Sequence, residues 1–175
     1  MKYLKGFLFV ISGLFLMVTL FSLLIPSKVF TTRALVIHAP QQDIFNALKD
    51  INQWKLWSPI LKNDAVRFDV RDSSGKNTTT AEWTVRGAEN KIVITEVFPN
   101  GIKLQIYHNQ DRPVDISVVI LPTNELGNYQ VELTAITSLK WYPWEKFGGI
   151  FINDVAGPGY EATLQSLKSF TEKTP

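Results

Sequence analysis

Residues 91–108 read KIVITEVFPNGIKLQIYH, and the fold turns on how they are read. Two runs rich in β-branched and aromatic residues, 91–98 and 102–108, flank Pro99-Asn100-Gly101, residue types that reverse a chain tightly. The stretch predicts an antiparallel hairpin in which Ile92, Ile94, Glu96 and Phe98 share one face of the first strand. Ile102, Leu104, Ile106 and His108 share one face of the second. Working outward, strand composition recurs at residues 66–72, 78–86, 114–121 and 129–141, with turn chemistry at 73–76, 87–90, 109–113 and 122–128. Connections this short join antiparallel neighbours.

A further strand is predicted at residues 32–38, which brings the expected number to seven. After it, Pro40 suits a first helical position, Asp43 lies in the first turn, and Ile44, Phe45, Leu48 and Ile51 share one face, so a short helix follows. Residues 52–59 read as a second short helix or turn halted by Pro59. Residues 144–173 return to helical spacing, with Tyr160, Leu164 and Leu167 in register and Phe170 close beside them. Pro158 between Gly157 and Gly159 predicts a kink or break in that helix. The fold class is α+β: a curved seven-stranded antiparallel sheet wrapped around a long C-terminal amphipathic helix, the element able to cover the concave face.

Ahead of this domain runs an apolar tract, residues 6–25 (GFLFVISGLFLMVTLFSLLI), preceded by Lys2 and Lys5 and closed by Pro26, Ser27 and Lys28. About 20 apolar residues at about 1.5 Å each cross a bilayer core. A removable signal peptide has a shorter apolar region and ends at small residues, whereas this tract ends Leu24-Ile25-Pro26-Ser27. The expected organisation is a transmembrane anchor at residues 1–28 and one domain at 29–175. The positive charge at Lys2, Lys5 and the terminal amine, against Lys28 and Arg33 on the other side, places the domain on the extracytoplasmic (periplasmic) side of a single-pass protein.

Charge and residue inventory exclude several classes of function. The chain has 18 Lys plus Arg and 16 Asp plus Glu; setting aside Lys2 and Lys5 leaves 16 basic against 16 acidic residues. A domain so balanced lacks the basic stripe that phosphate backbones require, so no nucleic acid is expected as a partner. There is no Cys and there are only two His, His38 and His108, in no metal-ligand spacing, so no metal is expected. No Gly-x-Ser-x-Gly elbow occurs, and Gly157-x-Gly159 neither follows a strand nor has the third glycine of a dinucleotide loop. No cofactor is expected.

Three stretches carry a likeness to a known family: Val36-Ile37-His38-Ala39-Pro40 leading into Ile44-Phe45, Trp54-x-x-Trp57-Ser58-Pro59, and Gly157-Pro158-Gly159-Tyr160 with Leu164, Leu167 and Lys168. Over residues 31–172 the chain resembles the helix-grip superfamily, which includes the birch pollen allergen, the START domains and the polyketide cyclase/dehydrase-like (SRPBCC) proteins. It looks most like small bacterial members with an N-terminal membrane segment. The resemblance implies a deep cavity between sheet and C-terminal helix, used across that superfamily for hydrophobic molecules. It carries over no catalytic residue.

Candidate cavity residues follow from parity and helical spacing: Trp83, Phe98 and Ile106 from the strands, and Phe147, Phe151, Tyr160 and Leu164 from the C-terminal helical segment. Glu96 and His108 are the polar candidates, able to hold a polar head or act as acid or base if their faces point inward. Trp54 and Trp57 read chiefly as packing residues. The leading expectation is a membrane-anchored binding module for a hydrophobic or amphipathic, lipid-like small molecule. The alternatives are a cyclase, dehydratase or hydrolase acting through Glu96 or His108, and an envelope domain that binds a protein partner the sequence does not identify.

Overall fold

The structure, a computed structural model, describes residues 2–61, 67–69, 80–85, 87–109 and 111–173. The turn expected at 73–76 and the ends of the strands expected at 66–72 and 78–86 lie outside them. Among the described residues seven antiparallel strands form one sheet: β1 (Lys28–Ile37), β2 (Arg67–Asp69), β3 (Thr80–Val85), β4 (Ala88–Phe98), β5 (Gly101–His108), β6 (Val114–Pro122) and β7 (Tyr129–Ser138). Six of them are long, and β2 contributes only a three-residue ladder. Their order is β1-β7-β6-β5-β4-β3-β2, so the first two strands of the chain occupy opposite edges.

The helices are α1 (Lys2–Ser22), α2 (Gln41–Lys49), α3 (Trp54–Trp57), α4 (Pro143–Gly149) and α5 (Ile152–Thr171), with a 3₁₀ turn at Ile51–Gln53. The connection from one sheet edge to the other passes through α2 and α3, and α5 packs on β1 and β7 as well as on both short helices. One cluster of buried side chains fills the space between, with Ile92, Leu104, Val118, Leu133, Leu164 and Leu167 among them.

Two hairpins are tighter than the sequence suggests. Val85 pairs with Ala88, so the turn expected over 87–90 closes around Gly87, whose φ of +81° is a conformation glycine adopts without a Cβ penalty. At Gly101 the reason is space: a Cβ there would meet the carbonyl of Val118, and the Phe98 ring covers the position. β1 begins at Lys28, four residues ahead of the expected strand, and β7 ends at Ser138, three residues short of the expected end.

The C-terminal helical segment breaks where the sequence does not predict it. The interruption lies between α4 and α5, at Ile150 and Phe151, and α5 runs unbroken through Pro158. Proline deletes one intrahelical donor there, while burial of Leu164 and Leu167 holds the helix on the sheet. Gly157 has a separate role. Arg33 projects from the inward side of β1 and donates to Asn153 Oδ1 at 3.2 Å, and its guanidinium occupies the space where a Cβ on residue 157 would sit.

α1 is long and apolar enough to cross a membrane, a test that a signal sequence passes as well, and none of its apolar window is buried. Its far end is tied down. Further turns follow it, Leu24 N–H donating to Phe21 O and Ile25 N–H to Ser22 O. The buried Lys146 of α4 then donates to the Ile25 carbonyl at 2.9 Å and to Ser27 Oγ at 2.6 Å. A cation beside the last carbonyls of a helix also meets the negative end of its dipole. Ser27 O in turn accepts from Leu139 N–H at 2.8 Å, so the link into β1 is a pinned elbow.

Candidate functional site

The concave face is set by alternation. On β6, Ile116, Val118 and Ile120 are buried while Asp115 and Ser117 face away, and the ladder carries that parity to Leu104 and Ile102 on β5 and to Leu133 and Ala135 on β7. The convex face is polar and solvated: Lys91 pairs with Glu82 at 3.0 Å, and Gln105 donates to Asp115 Oδ1 at 2.8 Å.

Under α5 the concave face leaves an apolar cavity of about 40 Å³. Ile92, Leu104, Ile106, Ile116, Val118 and Leu133 form its sheet wall; Tyr160, Thr163, Leu164 and Leu167 of α5 face them, and Trp54 and Trp57 close one side. The volume is room for about one or two water molecules. It is far below the several hundred cubic ångströms expected of a small-molecule site.

Both tryptophans are held by the end of α2. Trp54 Nε1 donates to Leu48 O at 2.9 Å and Trp57 Nε1 to Ala47 O at 3.2 Å, satisfying carbonyls that the last turn of a helix leaves without partners. Their rings sit 5.2 Å apart at 51°. Burial of about 200 Å² per ring makes them a large part of the apolar area that fixes α3.

Besides the two indole N–H groups, the polar side-chain groups of the described lining are hydroxyls. Ser58 and Thr163 contribute two, the latter donating to Gly159 O at 2.9 Å. Tyr160 contributes the third, and burial pushes its phenol above the ordinary value of 10.0, so at neutral pH it is a neutral donor and acceptor. No other titratable side chain lines the cavity among the described residues.

Of the nine residues expected to converge there, Ile106, Tyr160 and Leu164 do. Trp83 packs half-buried against the same core without reaching the cavity wall. His108 has the inward parity but stands exposed at its strand end, where Nδ1 lies 2.7 Å from Asn90 Oδ1. Glu96 requires a correction. The register slips between Ile94 and Glu96, a bulge that adds one residue and reverses the parity, so Glu96 pairs with Lys103 at 2.7 Å on the convex side, its side chain 53% exposed. Phe98 follows Glu96 outward and lies against Gly101, with Lys103 Nζ 5.9 Å from its ring. Phe147 and Phe151 also leave the cavity: they are 39% and 61% exposed, because the side of α4 that faces inward is taken by Lys146 and Gly149.

Sequence reading undervalued Trp54 and Trp57, which pack and line at once, and passed over Ile116 and Val118. The regular Asp115-Ile116-Ser117-Val118 alternation was the signal that could have found the last two. A wider open groove of about 480 Å³ lies on the other side of Trp57, bordered by Leu56 and by Gln165, Ser166, Ser169 and Phe170 of α5. Trp57 is the partition between groove and cavity.

No family model and no curated protein matches the sequence. Solved structures do match in shape. A START superfamily protein from Mycobacterium smegmatis superposes with a TM-score of 0.62 at 12% identity, over 83% of this chain and 99% of that one. The Zhui aromatase/cyclase from Streptomyces sp. R1128 gives 0.62 at 13%, over 83% and 94%. A truncated norcoclaurine synthase from Thalictrum flavum gives 0.60 at 14%, over 85% and 96%. With the antiparallel strand order and the long helix α5 packed on the sheet in place, the chain has the helix-grip fold, as its likeness to the START superfamily and aromatase/cyclase structures shows.

Proposed function

We propose that this chain is a membrane-anchored binding module that takes a hydrophobic or amphipathic, lipid-like small molecule beneath α5, with residues 1–28 as the transmembrane anchor and 29–175 as the binding domain on the extracytoplasmic side. The observation that carries the reading is the lining: among the described residues it is apolar apart from three neutral hydroxyls and two indole N–H groups already engaged with α2, and such a space favours an uncharged ligand body and penalises a buried charge. The helix-grip fold supports it, since similar structures include a START superfamily protein and an aromatase/cyclase. The anchor rests on the length and composition of α1 and keeps the cavity close to a bilayer into which such a ligand partitions.

A cavity of about 40 Å³ admits such a ligand only by opening. The route of least disruption is displacement of α3, because moving the Trp57 ring joins the cavity to the groove beyond it. Catalysis through Glu96 or His108 loses its support, since neither lines the cavity. Native mass spectrometry of the full chain released from membranes tests the reading. Retention of a hydrophobic small molecule is the expected result; a chain that stays unliganded across lipid extracts contradicts it.

A further inference from the structure

Six exposed large apolar side chains, Trp141, Trp144, Phe147, Ile150, Phe151 and Val155, fall within residues 141–155. Trp144 and Phe147 on α4, and Phe151 and Val155 at the break and the first turn of α5, follow one another at spacings of three and four. All four are exposed, Trp144 to 66% and Val155 to 79%. Tyr142 stacks on Trp144 with ring centroids 4.6 Å apart. Exposed apolar side chains gathered along one short stretch mark a contact.

Its position names the contact. α4 packs against the end of α1, with Ser22 fully buried, and Lys146 from the opposite side of α4 holds the Ile25 carbonyl. The 21 residues of α1 span about 31 Å, against about 30 Å for a hydrocarbon core. A bilayer crossed by α1 from Lys2 therefore has its second surface at Leu23 to Ile25, level with α4. Leu23 and Leu24 are exposed beside it and continue the same apolar zone.

We propose that α4 and the start of α5 form an interfacial collar that seats the domain on the bilayer its own anchor crosses. The proposal rests on the anchored reading above. Trp and Tyr rings suit the headgroup layer, where an apolar body meets lipid and a polar edge meets water. Amphipathic helices of this type sink about 5–10 Å into that boundary. The one lysine of α4, Lys146, is buried and engaged at the elbow, so the collar binds through apolar area and needs no anionic lipid.

The absence of cysteine makes single-site spin labelling direct. Full-length chain carrying Leu14→Cys, Phe151→Cys, Val155→Cys or Asp115→Cys would be labelled in phosphatidylcholine bilayers, and the accessibility of each label to oxygen and to a water-soluble nickel chelate compared. The expected result is Leu14 deep in the hydrocarbon, Phe151 and Val155 at headgroup depth with oxygen preference severalfold above Asp115, and Asp115 in water. Leu14 in hydrocarbon with Phe151 and Val155 as wet as Asp115 overturns the collar and leaves the anchor standing. Leu14 in water overturns the anchor and the collar with it. Close spin–spin distances between Phe151 labels on different chains, without lipid contact, would identify a second copy as the occupant and overturn the proposal.

Discussion

Trp54 and Trp57 on α3, and Trp141 and Trp144 at the start of α4, are the same residue type at short helices, yet they meet opposite surroundings. The first pair is buried, each indole N–H capping a carbonyl at the end of α2. The second pair is exposed and gathered with Tyr142, next to the elbow that joins α1 to β1. Interior rings stabilise by leaving water and so register in folding; outward rings leave folding almost untouched and register only when something apolar covers them. The difference separates the two surfaces on which the functional reading depends, the cavity and the collar.

The sharpest way to break this comparison is to truncate one ring from each pair. Trp54→Ala in the full chain is expected to cost about 3–5 kcal/mol in denaturant unfolding, since it removes a packed ring and uncaps α2. Trp144→Ala is expected to stay within about 0.5 kcal/mol in detergent. Equal losses would mean that the two pairs do the same structural work.

A smaller effect is expected at the junction. Lys146→Met leaves the Ile25 carbonyl and Ser27 hydroxyl without their donor, at a cost of about 1–3 kcal/mol, and removes the pin between α1 and the domain. Spin-label distances between Leu14 and Asp115 should broaden relative to the parent. An unchanged distribution would show that packing of α4 alone sets the angle.

How much of this was legible in the sequence depended on the regularity of each pattern. The strand series, the gripping helix and the inward rows at Ile92, Ile106 and Leu164 follow from periodicity and turn residues that no later feature disturbs. Glu96 and Phe98 defeated the same method because the bulge after Ile94 reverses parity, and a run with Val93 and Val97 on the alternate positions hides the slip. Phe147 and Phe151 failed for another reason. Helical apolar spacing shows that a face exists, and only the placement of α4 beside α1 shows that this face looks outward.

The smallest expected effect concerns Tyr160, the one titratable group of the cavity among the described residues. Well below pH 10 the Tyr160 phenol is neutral whether the chain is folded or not, and its burial raises the folded value. Between the ordinary and the raised value the unfolded chain ionises first, so stability falls as pH rises through that window. Tyr160→Phe should remove this part of the alkaline decline in melting profiles recorded from pH 8 to 11. A decline identical in the two proteins would place the phenol in water.

The most direct test of ligand binding beneath α5 compares two neighbours on β6, Val118 facing the cavity and Ser117 facing away. Titrating an uncharged apolar fluorophore into the full chain in nanodiscs should show saturable binding, with Val118→Phe weakening it about tenfold or more, equivalent to about 1.4 kcal/mol, and Ser117→Phe leaving it unchanged. Absence of saturable binding, or equal affinity in all three proteins, would contradict the account.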